Sequence, residues 1–358
     1  MTTYSEDNTH KSEIYVMSNY LAREFSVRRE IIQDLQSLGY QYHGTLGNHP
    51  INTVMTGHGR NIHICLVDDV RQLANKSLAE FGANDVIITD NVFCRPMSCP
   101  VIAMPKSWPG IFFYRPQITH EPDRRFVFSV NRITPERMHI FLDTVQHWKH
   151  PCRVAGEDIP QGYMSFRCVP KNVNLPESFP EEESRRLWHK SWDELAFDKS
   201  YIEPFYQRFS ENGDYRFVNH DLKFDEAMQR GMLNMTVESY CFDHVITFSE
   251  KTMRALAMPR PWVAFGSQFM IAQLRVMGFD VLDDLVDHSY DEIEFGERKM
   301  RTYSYAAVKA AEDLEWSDIR DRCHEAAQHN QQILQAWSHT WQADYAAWRS
   351  SLRDQLRV

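Results

Sequence analysis

The sequence predicts an α/β protein with two Rossmann-like domains that face a cleft, followed by C-terminal helices. Short apolar runs of strand composition alternate with amphipathic helical runs near residues 61–91 and again over about 215–295. This alternation is typical of parallel sheets covered by helices. The length of 358 residues suits two such domains. From Tyr303 onward the chain contains neither glycine nor proline, which predicts long helices.

The first predicted domain covers residues 1–150. Ile31–Leu38 predicts a short amphipathic helix that a glycine ends. Two buried strands, 61–70 and 85–91, flank a predicted helix that ends at Gly82. The order strand, helix, strand indicates a parallel pair.

A further strand is predicted at 124–133, and a turn leads from it into a helix over 135–148. Pro135 stands near the first turn of that helix, where its missing N–H removes no hydrogen bond. Residues 151–214 contain many prolines and a charged patch, so we expect a connector or lid there.

The second Rossmann-like domain is predicted over 215–300, with strands at the runs MTVESY, HVITF and PWVAFG and helices after Lys251 and Gly266. Residues 301–358 predict helices that pack back across both domains. This last segment carries a stripe of aromatic residues at helical spacing: Trp337, Trp341, Tyr345 and Trp348. Such a stripe favours packing over a base-stacking platform.

Composition limits the class of protein. The net charge of -10 argues against broad attraction to polyanions. Seven scattered cysteines indicate reduced thiols rather than a disulfide framework. No run is apolar enough to span a bilayer, and the first residues lack a signal pattern, so a soluble cytoplasmic protein is expected.

Several catalytic motifs are absent from the sequence. No Gly-rich dinucleotide fingerprint, GxxxxGK phosphate loop or His-Glu-x-x-His occurs. Cys94 and Cys99 lack a second correctly spaced pair, and Asp68 and Asp69 lack the spacing of metal-binding aspartates. The acidic run 280–294 lacks the pattern of a calcium loop, which favours helix capping and solvated charge. We therefore expect neither a metal nor a cofactor.

The most informative stretch is Thr236–Asp291. There Glu250 and Lys251 stand directly after an apolar strand-like run and at the start of a helix-like run. Free backbone N–H groups at a helix N-terminus are a natural seat for phosphate. A carboxylate there can accept hydrogen bonds from ribose, while an ammonium neutralises a diphosphate. In isolation the same pair is typical of a helix-start glutamate beside a solvated lysine.

This stretch resembles the nucleotide-sugar motif of the α-1,3-fucosyltransferases, through the order Glu238, a spacer, TFSEKT and then PWVAFG. It is more similar still to fucosyltransferase-like proteins of phages and bacteria, through SEKT, RPWVAFGS and LRVMGFDVLDDLVDHSYD. The likeness is strong over Thr236–Asp291 and moderate over Arg124–Val145. It implies a glycosyltransferase of the GT-B fold. Its C-terminal domain would bind a nucleotide-diphosphate sugar as donor substrate, and its N-terminal domain the acceptor.

The resemblance also implies roles for residues around the motif. Glu250 is expected to contact the nucleotide ribose, and Lys251 the diphosphate. Glu238 is expected to contact sugar or ribose, with a charge-paired structural glutamate as the alternative.

The same family carries an Asn–Arg pair and a downstream arginine after the strand at 124–133, which correspond here to Asn131, Arg132 and Arg137. One of the arginines is expected to bind the donor phosphates across the cleft, since the planar guanidinium pairs with phosphate oxygens. The alternatives are an ordinary surface residue for Arg132 and a helix-face salt bridge for Arg137.

A transferase of this class needs a general base near the anomeric carbon, so a carboxylate from the N-terminal domain is expected. Asp90 and Glu121 are the candidates, with Asp68 behind them. Lys251 and an arginine would stabilise the leaving diphosphate without a metal. If the resemblance extends to stereochemistry, the reaction inverts the anomeric centre.

The acceptor is left open between two classes. The likeness to phage proteins favours a hydroxymethylated pyrimidine in DNA, reached in the major groove or by base flipping. A local basic groove for DNA can be assembled from residues that cluster in sequence: Arg124, Arg125, Arg132, Arg137, Lys149 and Arg153. A cell-surface or capsular glycan is the alternative acceptor. A non-catalytic nucleotide-sugar-binding protein is a third possibility.

Overall fold

The computed structural model describes residues 26–45, 53–66, 81–93, 97–105, 116, 118–130, 137, 140, 143–144, 162–166, 228–238, 241 and 245–356. These residues form two sheets that contain parallel strands, a two-stranded ribbon and several helices. The predicted α/β class with C-terminal helices is confirmed at this level.

The first sheet contains the strands β1 (Gln41–Thr45), β2 (Thr53–Gly57), β3 (Arg60–Cys65), β4 (Asp85–Thr89) and, after a short strand β5 (Val92–Phe93) outside it, β6 (Val101–Ala103). Their order in the sheet is β1-β2-β3-β4-β6. The first three strands pair antiparallel, whereas β3, β4 and β6 run parallel. The predicted strands at 61–70 and 85–91 are therefore adjacent and parallel, as β3 and β4. The helix predicted between them lies outside the described residues.

The second sheet is parallel throughout. It contains β7 (Arg124–Val130), β8 (Gly162–Phe166), β9 (Gly231–Val237) and, after a short strand β10 (Val245–Ile246) outside the sheet, β11 (Trp262–Phe265). The strand order is β11-β9-β7-β8, so all four carboxyl ends lie at one edge. The short strands β5 and β10 pair antiparallel in a ribbon that joins the two halves of the chain.

The described helices include α1 over 26–37, α2 (Glu250–Ala257), α3 (Met270–Val276), α4 (Glu297–Asp313) and α5 (Trp316–Leu356), and a 3-10 helix spans Ser289–Glu292. In α1 the apolar residues Val27, Ile31 and Leu35 are spaced by four, so they share one buried face. The chain leaves α1 at Gly39, whose φ of 91° is a left-handed conformation that glycine adopts without strain. This agrees with the predicted helix over Ile31–Leu38.

Both faces of the second sheet are covered. Side chains alternate along a strand, so Leu233, Met235 and Val237 of β9 pack into one core with α4, while Trp262 and Ala264 of β11 pack into another with α2 and α3. Helices α2 and α3 consequently lie on the same face. Their N-termini both follow the carboxyl ends of strands.

Helix α5 is 41 residues long and contributes to two cores. Its first half packs with α2 and α3 through Ile319, Cys323 and Leu334. Its second half completes the core of the first sheet through an apolar stripe: Trp341, Tyr345, Trp348, Leu352 and Leu356. The rings of Trp341 and Tyr345 stack at 5.0 Å and those of Tyr345 and Trp348 at 5.9 Å. The aromatic stripe seen in the sequence is thus a packing surface.

Two strand assignments differ from the expectations. A boundary near residue 150 does not separate the strands, because β7 pairs with β9 of the second sheet and β8 arises within the expected connector. Within the run HVITF, Val245–Ile246 form β10, which joins the ribbon with β5 instead of the second sheet. The apolar composition of this run predicts burial, and Val245 and Ile246 are indeed buried. Composition does not determine which strand pairs with it.

Candidate functional site

The predicted donor motif lies at the carboxyl edge of the second sheet. Glu238 directly follows β9. Its N–H donates a hydrogen bond of 2.8 Å to the carbonyl oxygen of Phe265, which is the last residue of β11. Gly266 comes next, and a Cβ added there would lie 3.5 Å from the Glu238 Cγ atom and 2.3 Å from the Met270 Sδ atom. In open parallel sheets, ligands bind in the crevice beyond this edge.

Glu238 joins the end of β9 to the start of α2. Its Oε1 atom accepts a hydrogen bond from the Ser249 N–H at 3.0 Å and another from the Thr252 hydroxyl. The residue is 2% exposed. A buried carboxylate is costly unless it accepts hydrogen bonds, and a helix N-terminus supplies donors of favourable polarity. Glu238 is thus held within the fold by hydrogen bonds, and its contact with sugar or ribose stays a prediction.

Helix α2 begins where its sequence allows a cap. Ser249 is the N-cap residue, with extended backbone (φ -112°, ψ 178°), and its Oγ atom accepts a hydrogen bond from the Lys251 N–H at 3.3 Å. Serine is among the preferred residues at this position. The half-buried Lys251 also places its Nζ atom 3.5 Å from the Ser249 Oγ atom, so its ammonium group stays at the N-terminus of the helix. Glu250 is the first residue of α2.

Arg137 reaches the same edge from the segment after β7. Its Nη2 atom donates to Val237 O at 3.1 Å and to Glu238 O at 3.0 Å, and the residue is 2% exposed. The guanidinium therefore holds the end of β9, where the structure brings it together with Glu238. Binding of donor phosphate by Arg137 stays a prediction. Asn131 and Arg132 lie outside the described residues.

Asp90 approaches this site through the ribbon. It follows β4 at the carboxyl end of the first sheet and is buried. In the ribbon, Val92 is paired with Ile246. Because the pairing is antiparallel, residues before Val92 run alongside residues after Ile246. The ribbon therefore joins the segment that follows Asp90 to the segment that leads to Ser249, although the sequence separates the two widely.

Glu121, the second predicted general base, lies at the opposite edge. It precedes β7, and its carboxylate accepts a hydrogen bond from the Trp316 Nε1 atom at the start of α5. The 7-residue strand β7 separates it from the carboxyl edge by about 20 Å. The structure does not bring Glu121 to Lys251, and the role of Glu121 as general base stays a prediction without a described contact that supports it. Asp68 lies outside the described residues.

The predicted basic groove also loses members. Arg125 donates to Glu315 Oε1 from both Nη atoms at 3.1 Å, and to Leu314 O. Arg137 is buried against backbone carbonyls, as described above. Residues 132, 149 and 153 and the side chain of Arg124 lie outside the described part of the chain. Of the two described arginines of the cluster, Arg137 is buried, and Arg125 forms an exposed ion pair with Glu315.

The acidic run 280–294 is a structural unit. Asp291 caps α3 through hydrogen bonds from the Ile271 N–H at 3.0 Å and the Ala272 N–H at 2.9 Å. Burial raises the pKa of Asp291, and these two hydrogen bonds oppose that rise. The family-like run LRVMGFDVLDDLVDHSYD therefore fixes α3 and the preceding turn, consistent with the predicted helix capping.

Two arginines bind three further carboxylates of this run. Arg322 of α5 donates to both oxygens of Asp280 at 2.7 and 2.9 Å and to both oxygens of Asp284 at 2.8 Å. Arg275 binds both oxygens of Asp283 at 2.6 and 2.8 Å. The hydrogen bonds from Arg275 lower the pKa of Asp283, and the hydrogen bonds to Asp280 and Asp284 raise the pKa of Arg322. Within the described residues, no group of three or more His, Cys, Asp or Glu side chains could hold a metal ion.

A buried polar chain completes the unit. The Ala264 N–H donates to the Tyr290 hydroxyl at 3.2 Å, the hydroxyl lies 3.0 Å from His288 Nδ1, and His288 Nε2 lies 2.9 Å from Val281 O. Because a carbonyl only accepts, Nε2 carries the proton and Nδ1 accepts from Tyr290. Burial lowers the pKa of His288, which favours this neutral form.

Sequence reasoning missed Ser249, Thr252 and Phe269. The N-cap role of Ser249 was accessible, since a serine before Glu-Lys-Thr and an apolar run is a helix-start pattern. The hydrogen bond of Thr252 to Glu238 joins residues on a strand and a helix, so no local pattern reveals it. The conformation of Phe269 depends on contacts with residues that are distant in the sequence.

Comparisons with known proteins found one weak structural similarity. No family model matches the chain, and no curated protein matches it. Among solved structures it is similar to one described as the crystal structure of the DNA modifying enzyme beta-glucosyltransferase in the presence and absence of the substrate uridine diphosphoglucose. That similarity has 8% identity and a TM-score of 0.35, over 83% of this chain and 74% of the other. At this TM-score the likeness establishes neither a shared fold nor a shared activity. Separately, no helix in the described ranges is long and apolar enough to cross a membrane.

Proposed function

We propose that this chain is a glycosyltransferase of the GT-B type that moves a sugar from a nucleotide-diphosphate donor to a hydroxyl acceptor. The observation that carries the proposal is the unit formed by the fucosyltransferase-like motif. Glu238 binds Ser249 and Thr252, and so fixes the N-terminus of α2, with Lys251 on it, at the carboxyl edge of a parallel sheet. This is the arrangement expected for a diphosphate site.

Each residue has a chemical role in this proposal. The ammonium of Lys251 and the free N–H groups of α2 neutralise the diphosphate, whose negative charge grows as the bond from the anomeric carbon to its phosphate oxygen breaks. Glu250 accepts hydrogen bonds from the ribose. Glu238 positions α2 from beneath, while Arg137 holds the end of β9 and adds positive potential near the leaving group.

Asp90 is the proposed general base. It takes the proton of the acceptor hydroxyl as the oxygen attacks the anomeric carbon and forms the new glycosidic bond. One direct displacement of this kind inverts the anomeric centre, and the cationic groups make a metal unnecessary.

The acceptor is proposed from the resemblance. Likeness to phage proteins favours a hydroxymethylated pyrimidine in DNA, with a glycan as the alternative. The case for a basic DNA-binding groove is weaker than the sequence indicated, because Arg125 pairs with Glu315 and Arg137 donates to a backbone carbonyl. A non-catalytic nucleotide-sugar-binding protein is disfavoured because the proposed donor site retains Lys251 on a capped helix.

A thermal-shift screen of nucleotide sugars tests this proposal. A donor that binds the native state at about 100 times its Kd adds about 2.7 kcal/mol to the free energy of unfolding, and the melting temperature rises. The Lys251→Ala variant serves as the control, since it should lose the shift. A screen of the common nucleotide sugars in which none raises the melting temperature would contradict the proposal.

A further inference from the structure

Phe269 has a conformation that is unusual for a bulky residue. It stands at the N-cap of α3 with φ 62° and ψ 19°, in the left-handed region. Its Cβ atom crowds the backbone in this region, and glycine or asparagine is the ordinary occupant. The position itself therefore does not require a phenylalanine.

The turn that contains Phe269 is fixed from several sides. The Phe269 N–H donates to Asp291 O at 3.0 Å, and the Met270 N–H donates to Ser267 O at 3.2 Å. Gln268 Nε2 donates to Glu292 O at 2.7 Å. The carboxylate of Asp291 binds the next two N–H groups of α3, as described above. These contacts hold the left-handed backbone in place, as strained positions at functional sites require.

Two other residues share the positive φ of Phe269 but differ from it in the surroundings of their side chains. Among the described residues, His58 and Leu282 are the other non-glycine residues with positive φ. Leu282 is 2% exposed and packs in the core around α2 and α3, and His58 Nε2 lies 2.8 Å from Leu38 O. Their side chains have partners within the fold. The Phe269 ring is instead 38% exposed, so core burial offsets less of its strain.

The loop that carries Phe269 begins at the proposed donor site. Phe269 is in the loop that follows β11, three residues after Gly266, which adjoins Glu238. Helices α2 and α3 lie on the same face of the sheet, so both of their N-termini face the crevice beyond its carboxyl edge. An exposed aromatic ring beside a diphosphate site is suited to one part of a nucleotide, the flat face of the base.

We propose that Phe269 stacks on the nucleobase of the donor and supplies much of the affinity for its nucleoside part. This inference rests on the proposed function, because it requires a nucleoside diphosphate at that site. Stacking tolerates any base, since each has a π-face. Phe269 therefore sets affinity for a nucleoside, and contacts elsewhere select which base is bound.

Calorimetric titration with UDP, GDP and inorganic diphosphate tests the role of Phe269. Phe269→Gly removes the ring at a φ that glycine adopts without strain, and Phe269→Asn is a second variant that tolerates the same backbone. We expect both to weaken binding of the preferred nucleoside diphosphate by roughly 5- to 100-fold, a range set by base-stacking energies. Binding of inorganic diphosphate should be unchanged, and Phe269→Tyr should restore the affinity. Val276→Ala is the matched control, because Val276 is an apolar residue of the same helix with 79% exposure at its other end.

The outcomes separate this inference from the proposal on which it rests. Equal nucleotide affinity in wild type and both ring-deleted variants overturns the stacking role and leaves the donor site intact. An equal loss for inorganic diphosphate also overturns it, because the turn and not the ring would then be responsible. A wild-type protein that binds no nucleoside diphosphate overturns the proposed function and this inference together.

Discussion

Ser249 and Glu238 are joined by a hydrogen bond of 3.0 Å from the backbone N–H of Ser249 to the Oε1 atom of Glu238. The bond links the first residue after β9 to the N-cap of α2. Glu238, to which the resemblance assigns a substrate contact, therefore holds the start of α2 in place. Its loss should disturb stability as well as activity.

Glu238→Ala should lower the free energy of unfolding by about 1 to 3 kcal/mol, because the Ser249 N–H and Thr252 hydroxyl lose a buried acceptor. Glu238→Gln keeps an acceptor oxygen and should lose less. Urea unfolding measures both, with the exposed Asp321→Ala as control. If the alanine variant is as stable as wild type, the carboxylate does not hold α2.

Lys251→Ala should abolish turnover while the free energy of unfolding stays within about 0.5 kcal/mol, since the half-buried side chain contributes charge rather than core packing. The assay compares the variant with wild type on the donor found by thermal shift. Lys309→Ala, which removes an exposed lysine of α4, is the matched control. Near-normal turnover by the Lys251 variant would refute the site assignment.

His288 should make the protein less stable in mild acid. Burial lowers its pKa below the ordinary 6.5, so the unfolded chain takes up the proton first as the pH falls. The stability that neutral His288 provides is complete above pH 6.5 and is lost between that value and the lower folded pKa, at up to about 1.4 kcal/mol per pH unit. Urea unfolding of wild type and His288→Gln should show a shallower pH dependence in the variant. Identical slopes would mean that His288 titrates alike in both states.

Leu352→Ala should lower the free energy of unfolding by about 2 to 5 kcal/mol, because Leu352 of α5 is buried in the core of the first sheet. Arg353→Ala, at the neighbouring exposed position, should change it by less than about 0.5 kcal/mol. Chemical unfolding of both variants makes the comparison. Equal small effects would show that the end of α5 does not complete that core.

The sequence predicted the parts of this fold that local patterns determine. The apolar runs of β3, β4, β9 and β11 mark buried strands, and Glu250 with Lys251 after an apolar run marks a helix start. It did not predict partners that are distant along the chain. The pairing of β5 with β10, the bond of Arg137 to the end of β9, and the contact of Glu121 with Trp316 depend on packing, which leaves no periodic signal.

The acceptor is decided by a test on modified DNA. If a hydroxymethylated pyrimidine is the substrate, the protein should bind duplexes containing hydroxymethylcytosine and transfer sugar to them with the donor found by thermal shift. In that case the basic cluster from Arg124 to Arg153 should contact DNA phosphates despite the net charge of -10, so binding should weaken steeply as the salt concentration rises. A gel-shift salt series and a transfer assay measure both, with unmodified duplex as control. If the protein neither binds the modified duplex nor transfers sugar to it, DNA is excluded as the acceptor and the glycan remains.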